Sequence, residues 1–561
     1  MVIQRAVQDI IRDSPHVLIN TMSGLLLNKS EQAAAFESLP IFNELISSMT
    51  THIDHSRIAH DVTEYYRYAM FSHRWEVNEP LFQETIHIAV YDLDKYPTHN
   101  KLQMFCKIVR DAGLHWAWSD TCCINQADHN VLQEALVAMF RWYQGSAVTI
   151  IFLRGVRSPS QRGDLVRSDW NTRAWTFQEY HASKVVLFYN EDWTLYMNLD
   201  IPNHKESPEI ISEMEEVTDI SVRALMALRP GSNDIREKLR LASTRETTRV
   251  EDAAYSLLGI FSLSLSVVYG EGDRALGRLL AQLLTSSGDT SILAWSGKSG
   301  SFNSCLPANI NVFNQPPTTH VPPTIEDVQM DGIPTRLRAS PLNLTLVTKL
   351  YDRLHELPVP FFVGQRMKLP CIIFELERLS AFRSRSERFF RAHTAAFGMV
   401  EIRTKENLSR LGSLYLIHPW IDFLLDRQPV DSVTGTVLEK STDSQFSFIS
   451  QLPCPSNVTS AARQTPTANL LARLGRSLGA RPPDVAPCMS PLSVSLTDKQ
   501  TQALRLIARL RQSFGALLFT PNRQNVAEYR RVAPESMITV QVQEDIPLNV
   551  LIDSVRLLDV L

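Results

Sequence analysis

The chain reads as an α/β protein: a parallel sheet flanked by helices, then a helical stretch, then a β-rich remainder. Three observations predict this. Short apolar runs recur between residues 65 and 195: Tyr68-Ala-Met-Phe-Ser72, His115-Trp-Ala-Trp-Ser119, Ala147-Val-Thr-Ile-Ile-Phe-Leu153 and Lys184-Val-Val-Leu-Phe-Tyr189. Segments with helical apolar spacing separate them, and strands alternating with helices imply a parallel sheet covered on both faces. Beyond Ser301 the sequence becomes proline-punctuated, with short apolar runs that suggest β-structure.

Taken in order, residues 1–64 form a mixed, helical segment in which Phe36, Ile41, Phe42, Leu45 and Ile46 show near-helical spacing. Residues 65–195 form the α/β domain. Between its first two runs the pattern predicts helices over Leu81 to Tyr91 and Leu102 to Ala112. The clearest helix carries Leu132, Leu136, Met139, Phe140 and Tyr143 on one face. It feeds Ala147 to Leu153, uncharged and rich in β-branched residues as a buried parallel strand should be. Residues 196–300 read as a helical extension. There Thr248 and Glu251 fit a capping box, Leu263 to Val267 alternates like a short strand, and Leu276, Leu279, Leu280, Leu283 and Leu284 make a helical stripe. Residues 301–561 form a further domain. Leu342 to Val347 and Cys371 to Phe374 suggest strands, while Pro453 to Pro487 suggests a linker.

Composition bounds the function. At 561 residues the chain exceeds one ordinary core, and about three or four structural units are expected. Hydrophobic content of 44% with 21% charged residues marks a globular chain. A net charge of -4 and a pI near 6.4 give no footprint for nucleic acid. Seven cysteines spread thinly point to a reducing compartment. Met1 to Ile11 carries Arg5 and Asp9 without an apolar core, unlike a secretory signal. The uncharged run Ala253 to Gly270 is broken by four serines and falls short of a membrane span. A cytoplasmic protein is expected.

Three motifs stand out: Phe71-Ser-His-Arg-Trp75, Trp118-Ser-Asp-Thr-Cys-Cys-Ile-Asn-Gln126 and Arg173-Ala-Trp-Thr-Phe-Gln-Glu179. In this order they resemble the fungal heterokaryon-incompatibility (HET) domain. Thr247-Thr-Arg-Val-Glu-Asp-Ala-Ala-Tyr255, Tyr269-Gly-Glu-Gly272 and Ser291-Ile-Leu-Ala-Trp295 resemble the extension common in such proteins. The resemblance implies a role in non-self recognition as a cell-death effector. It also implies a distant likeness to Toll/interleukin-receptor (TIR) domains, some of which cleave NAD, and hence a TIR/flavodoxin-like sheet.

TIR enzymes hold their catalytic glutamate in a Trp-Cys-x-x-Glu pattern. Trp175 and Glu179 have that separation, on one helical face, although Thr176 stands where the pattern has cysteine. The likeness therefore implies Glu179 as the catalytic acid, with Asp120 beside it at the carboxyl end of its strand. Ser72, His73, Arg74, Trp75 and Trp175 would shape the pocket, the rings stacking on a base and Arg74 meeting a pyrophosphate. NAD enters as substrate, no cofactor is required and no metal site is expected. Self-association through the HET domain and an unidentified protein partner are the expected interactions, without nucleic acid or a membrane span.

Other readings remain open at this level. Glu179 can pair with Arg173, Asp120 can hydrogen-bond the following loop, and Trp75, Trp118 and Trp175 can be core anchors. A non-catalytic scaffold acting by self-association or partner binding is the rival function. A third is a cysteine hydrolase through Cys123 with His73 as base, although buried reduced thiols are the default for Cys122 and Cys123. Adjacent cysteines suit zinc poorly. The Gly297-Lys-Ser-Gly300 stretch lacks the first glycine of a phosphate loop. The arginines between Arg505 and Arg511 read as a solvated face.

Overall fold

The computed structural model describes residues 2–48, 53–218, 229–314, 341–383, 388–420, 496–525, 527–543 and 546–561. The described helices and strands all belong to the unit made by Met1–Leu424 and Asp498–Leu561. The proline pairs at 316–317, 322–323 and 482–483 and the expected linker from 453 to 487 lie outside the described residues.

The first sheet of this unit has six strands: β1 (Val17–Asn20), β2 (Leu26–Asn28), β3 (Tyr68–His73), β4 (Trp116–Trp118), β5 (Val148–Leu153) and β6 (Val186–Asn190). Their spatial order is β2-β1-β4-β3-β5-β6. The strands β4, β3, β5 and β6 run parallel. All six residues of β3 are buried, and so are all of β5 except its first. This is the expected signature of parallel strands covered on both faces. The four apolar runs of the sequence thus become these four strands.

The hairpin β1–β2 pairs antiparallel with β4 and covers that edge, a feature not anticipated from the sequence. Its turn is chemically explicit. Asn20 accepts hydrogen bonds from the amides of Met22 and Ser23, and Gly24 sits at φ 75°. A Cβ at Gly24 would also lie 2.8 Å from the Tyr91 ring.

Helices α1 (Pro97–Asp111), α2 (His129–Gly145) and α3 (Ala174–Ala182) link the parallel strands. Helix α1 starts earlier than its apolar pattern suggested, because Pro97 opens its first turn, where a missing N–H costs nothing. Asp128 caps α2 by accepting from the amides of Asn130 and Val131. The helix expected over Leu81 to Tyr91 shrinks to one turn, Phe82–Thr85, and a 3₁₀ turn at Val90–Asp92. Thr85, Ile86, Ile88 and Val90 are β-branched and resist helix propagation.

Helices Pro208–Thr218, Ile235–Ser243, Asp252–Tyr255 and Arg274–Ser287 make up the extension. Two local expectations there are corrected. Glu251 does not close a capping box with Thr248; its Oε1 accepts from the amides of Gly270 and Gly272 at 2.8 and 2.9 Å. Leu263 to Val267 alternates in burial but pairs with no strand among the described residues.

In the C-terminal region, Leu342 to Val347 lies in a helix, Pro341–His355, not a strand. Leu344, Val347, Leu350 and Leu354 are buried at helical spacing, and the apparent alternation was coincidence of a leucine-rich turn. Cys371 to Phe374 is strand, within Arg366–Glu375. Five strands close into a ring: Arg366–Glu375, Tyr415–Pro419, Phe514–Pro521, Glu528–Val532 and Val555–Val560. The arginine-bearing stretch forms helix Asp498–Leu510, with Leu504, Leu506, Ile507 and Leu510 buried.

One apolar core runs from Phe71 and Trp116 of the first sheet through Leu279 and Trp295 to Met367, Leu517 and Val560 of the ring. Arg531 stitches the two parts. Its guanidinium is fully buried, lies 3.9 Å from the Trp295 ring centre, and donates to the carbonyls of Leu293, Trp295 and Cys305.

Candidate active site

Open α/β sheets place ligands beyond the carboxyl ends of their strands. Here β3 ends in Ser72 and His73 and runs on into Arg74 and Trp75, while β4 is followed by Ser119 and Asp120. Helix α3 brings Trp175 and Glu179 to the same place, four residues apart and therefore on one face. Together Arg74, Trp75, Asp120, Trp175 and Glu179 line a cavity of about 410 Å³. That is a ligand-sized volume.

The acids define its floor. Ser72 Oγ donates to Glu179 Oε2 at 2.5 Å, and Trp170 Nε1 in turn donates to Ser72 Oγ at 2.7 Å. Trp75 Nε1 donates to Asp120 Oδ2 at 2.8 Å. The other Asp120 oxygen, Oδ1, is shut from solvent without a hydrogen-bond partner among the described residues. Burial, and then the charge of Asp120, pushes the Glu179 carboxyl up to about 8, against the opposing pull of Ser72, Arg173 and Arg245. Burial likewise raises Asp120, against His73, Arg173 and Trp75. Burial thus favours the neutral form of both neighbouring carboxyl groups, and a cation in the cavity would favour their ionisation.

Ser72 touches the cavity only through Glu179. His73 stands behind it, stacked on Phe71 with ring centres 4.3 Å apart. Its Nε2 is 3.7 Å from Glu79 Oε1, and Glu79 is ion-paired to the buried Lys101. Burial and the Lys101 charge lower the His73 pKa, so its ring is neutral at physiological pH. The dyad required for a cysteine hydrolase is not assembled: the His73 nitrogens have no hydrogen-bond partner among the described residues, and Cys123 Sγ lies 4.0 Å from that of Cys122. Arg74 forms a 2.7 Å ion pair with Asp169 at the rim. Trp118 is fully buried as a core anchor.

The extension supplies the opposite wall, to which the sequence alone assigned no role. Residue 246 pairs with Arg173 through a parallel bridge; Ala174 N donates to Glu246 O at 3.0 Å and Glu246 N to Thr172 O at 2.6 Å. This stitch presents Glu246, Thr247, Thr248 and Arg249 to the cavity, with Asp252 and Tyr269 beside them. The Tyr269 hydroxyl donates to Asp252 Oδ1 at 3.0 Å, and Trp175 is a second side-chain donor to that carboxyl. The Arg249 guanidinium lies over the Tyr269 ring, 4.2 Å from its centre. The signal was present in the sequence as Thr247 to Tyr255 and Tyr269 to Gly272, but only the fold shows that they face Glu179.

Among the described residues no helix is long and apolar enough to cross a membrane. The family model described as heterokaryon incompatibility protein (HET) matches residues 68–164. A curated relative, vegetative incompatibility protein HET-E-1 of Podospora anserina, is 33% identical over 227 residues. That alignment covers 38% of this chain and 16% of the relative, so the chain spans a minor part of the relative's length. No solved structure matches the chain. Strands β3 to β5, with the motifs that follow β3 and β4, fall inside the matched residues, and this part of the chain is accordingly similar to a heterokaryon-incompatibility (HET) domain.

Proposed function

We propose that this protein acts in vegetative incompatibility as a cell-death effector, and that its HET domain does so by cleaving NAD at the cavity built around Glu179. The observation that carries this reading is the convergence of Glu179 and Asp120 on one ligand-sized cavity. A surface serving only as a docking scaffold has no need of two buried carboxyl groups converging on an open volume. The parallel strands also follow the order second, first, third, fourth, which is that of flavodoxin-type sheets and supports the TIR-like reading.

The chemistry follows from the site's own residues. The nicotinamide ring of NAD carries a positive charge, and a cation near Glu179 and Asp120 favours their ionised forms. The bond between C1′ and the ring nitrogen breaks with its electron pair leaving on nicotinamide. The electron-poor ribose carbon that results is stabilised by the Glu179 carboxylate. Water then adds its oxygen to C1′ and gives up one proton, which the carboxylate accepts, leaving ADP-ribose. Asp120, on the cavity lining with Oδ2 held by Trp75, would accept ribose hydroxyls in this reading. In this reading the protein works in the cytoplasm, and self-association would tune access to the site.

The test is nicotinamide release from NAD by the purified full-length protein. Turnover that falls about 100-fold or more in Glu179→Gln is expected for loss of a group acting on the transition state. Absence of turnover at concentrations that drive assembly, with the fold intact, would overturn the enzymatic reading in favour of a scaffold.

A further inference from the structure

We infer that the wall contributed by the extension, with Arg249 over Tyr269 at its centre, is the part of the site that selects a ligand carrying a diphosphate. This deepens the NAD reading and rests on it for the identity of the reaction, though not for the binding.

The cavity is chemically divided. Asp120 and Glu179, the two carboxyls raised by burial, form the floor from β4 and α3. The cations among its lining residues are Arg74, Arg173 and Arg249. They are not equivalent. Arg74 is paired with Asp169 at 2.7 Å. Arg173 donates one N–H to the His73 carbonyl at 3.2 Å, and its charge acts on Asp120 and Glu179, so it belongs to the floor. Arg249 has no carboxylate within ion-pair distance among the described residues; it is exposed, and its position is fixed by the face of Tyr269. A guanidinium over a ring face keeps N–H groups free to grip phosphate oxygens.

Tyr269 is itself held. Its hydroxyl is bonded to Asp252, which Trp175 also engages, and the turn after it is fixed by Glu251 receiving the amides of Gly270 and Gly272. Thr247 and Thr248 add hydroxyl groups on the same wall. Opposite the acidic floor the wall carries a preset cation and hydroxyls beside Glu246 and an Asp252 already engaged by Tyr269 and Trp175, an arrangement that suits a molecule cationic at one end and anionic in its middle. A dinucleotide with a quaternary ring nitrogen and a pyrophosphate has that charge pattern. A simple nucleoside lacks its anionic half.

The experiment compares two ligands and two proteins. ADP-ribose, which carries the diphosphate, and nicotinamide riboside, which has the cationic ring and no phosphate, are titrated calorimetrically into full-length Glu179→Gln protein with and without Arg249→Glu. ADP-ribose affinity should fall at least about tenfold with the second substitution, the scale of losing a charge-assisted hydrogen bond. The ratio of NAD to nicotinamide riboside kcat/KM should fall by a similar factor in Arg249→Glu alone, through KM more than kcat. Equal effects on the two ligands, or no effect on ADP-ribose, would overturn the role of the wall. If neither protein form turns over NAD but ADP-ribose still binds through Arg249, the binding inference stands and the reaction is refuted. Absence of ADP-ribose binding to either form refutes the inference itself.

Discussion

Replacing Glu179 by glutamine tests the electrostatics of the site without any ligand. In the folded protein the carboxyl titrates at about 8 because it is buried and faces Asp120; its ordinary value is 4.5. Between these values the unfolded chain has released the proton and the folded chain has kept it. Stability therefore falls with rising pH across that window and levels off above about 8. At about 1.4 kcal/mol per pH unit, the contribution present below pH 4.5 and lost by pH 8 is on the order of 5 kcal/mol. Glutamine imitates the protonated acid and can still accept from Ser72. Urea unfolding of wild type and Glu179→Gln at pH 5, 6, 7, 8 and 8.5 should give nearly equal stabilities at the acid end. The variant should pull ahead progressively, to a margin of several kcal/mol, at the alkaline end. Parallel curves across the whole range would mean that Glu179 is ionised in the native state, and the account of the cavity floor would fail.

Two structural predictions concern the frame that carries the site. Gly259→Ala should destabilise the protein by about 1–3 kcal/mol, as overpacking does, since the added Cβ would lie 2.2 Å from Phe140 Cβ on α2; a neutral effect in urea unfolding would show that α2 can shift. Arg531→Met keeps the side chain's bulk but abandons three carbonyls, those of Leu293, Trp295 and Cys305. Leu293 and Cys305 keep a second donor each, from Trp295 N and Nε1, so a loss of about 1–3 kcal/mol is expected, chiefly from the Trp295 carbonyl. A gain would mean that desolvating the guanidinium outweighs its bonds.

The fold was legible where a residue's partners are local or where burial is total. Tyr68 to Ser72 and Val148 to Leu153 read as strands because both faces are covered, so periodicity did not have to choose a face. The i, i+4 pairing of Trp175 and Glu179 needed only the helical repeat. Legibility failed where long-range packing overrides pattern. Leu342 to Val347 alternates on paper, yet Leu350 and Leu354 extend its buried stripe into a helix. Thr248 and Glu251 carry the spacing of a cap, but Glu251 is drawn to the amides of Gly270 and Gly272, some twenty residues away. The same limit applied to the site. Each motif was visible singly, and the face shared by Arg249, Tyr269 and Glu179 exists only because residues 245 to 249 are stitched to the start of α3.

The buried Arg531 has a consequence for how such a gene can be rearranged. Its side chain belongs to the C-terminal ring, while all three carbonyls it satisfies belong to the segment 293–305. Breaking the coding sequence between them and joining the front half to a foreign tail would take the guanidinium from the Trp295 carbonyl and uncover the Trp295 ring. Recombination between relatives is then tolerated only when both halves of the clasp travel together. The motif-bearing region and the ring would then, in hereditary terms, be expected to pass on as one block.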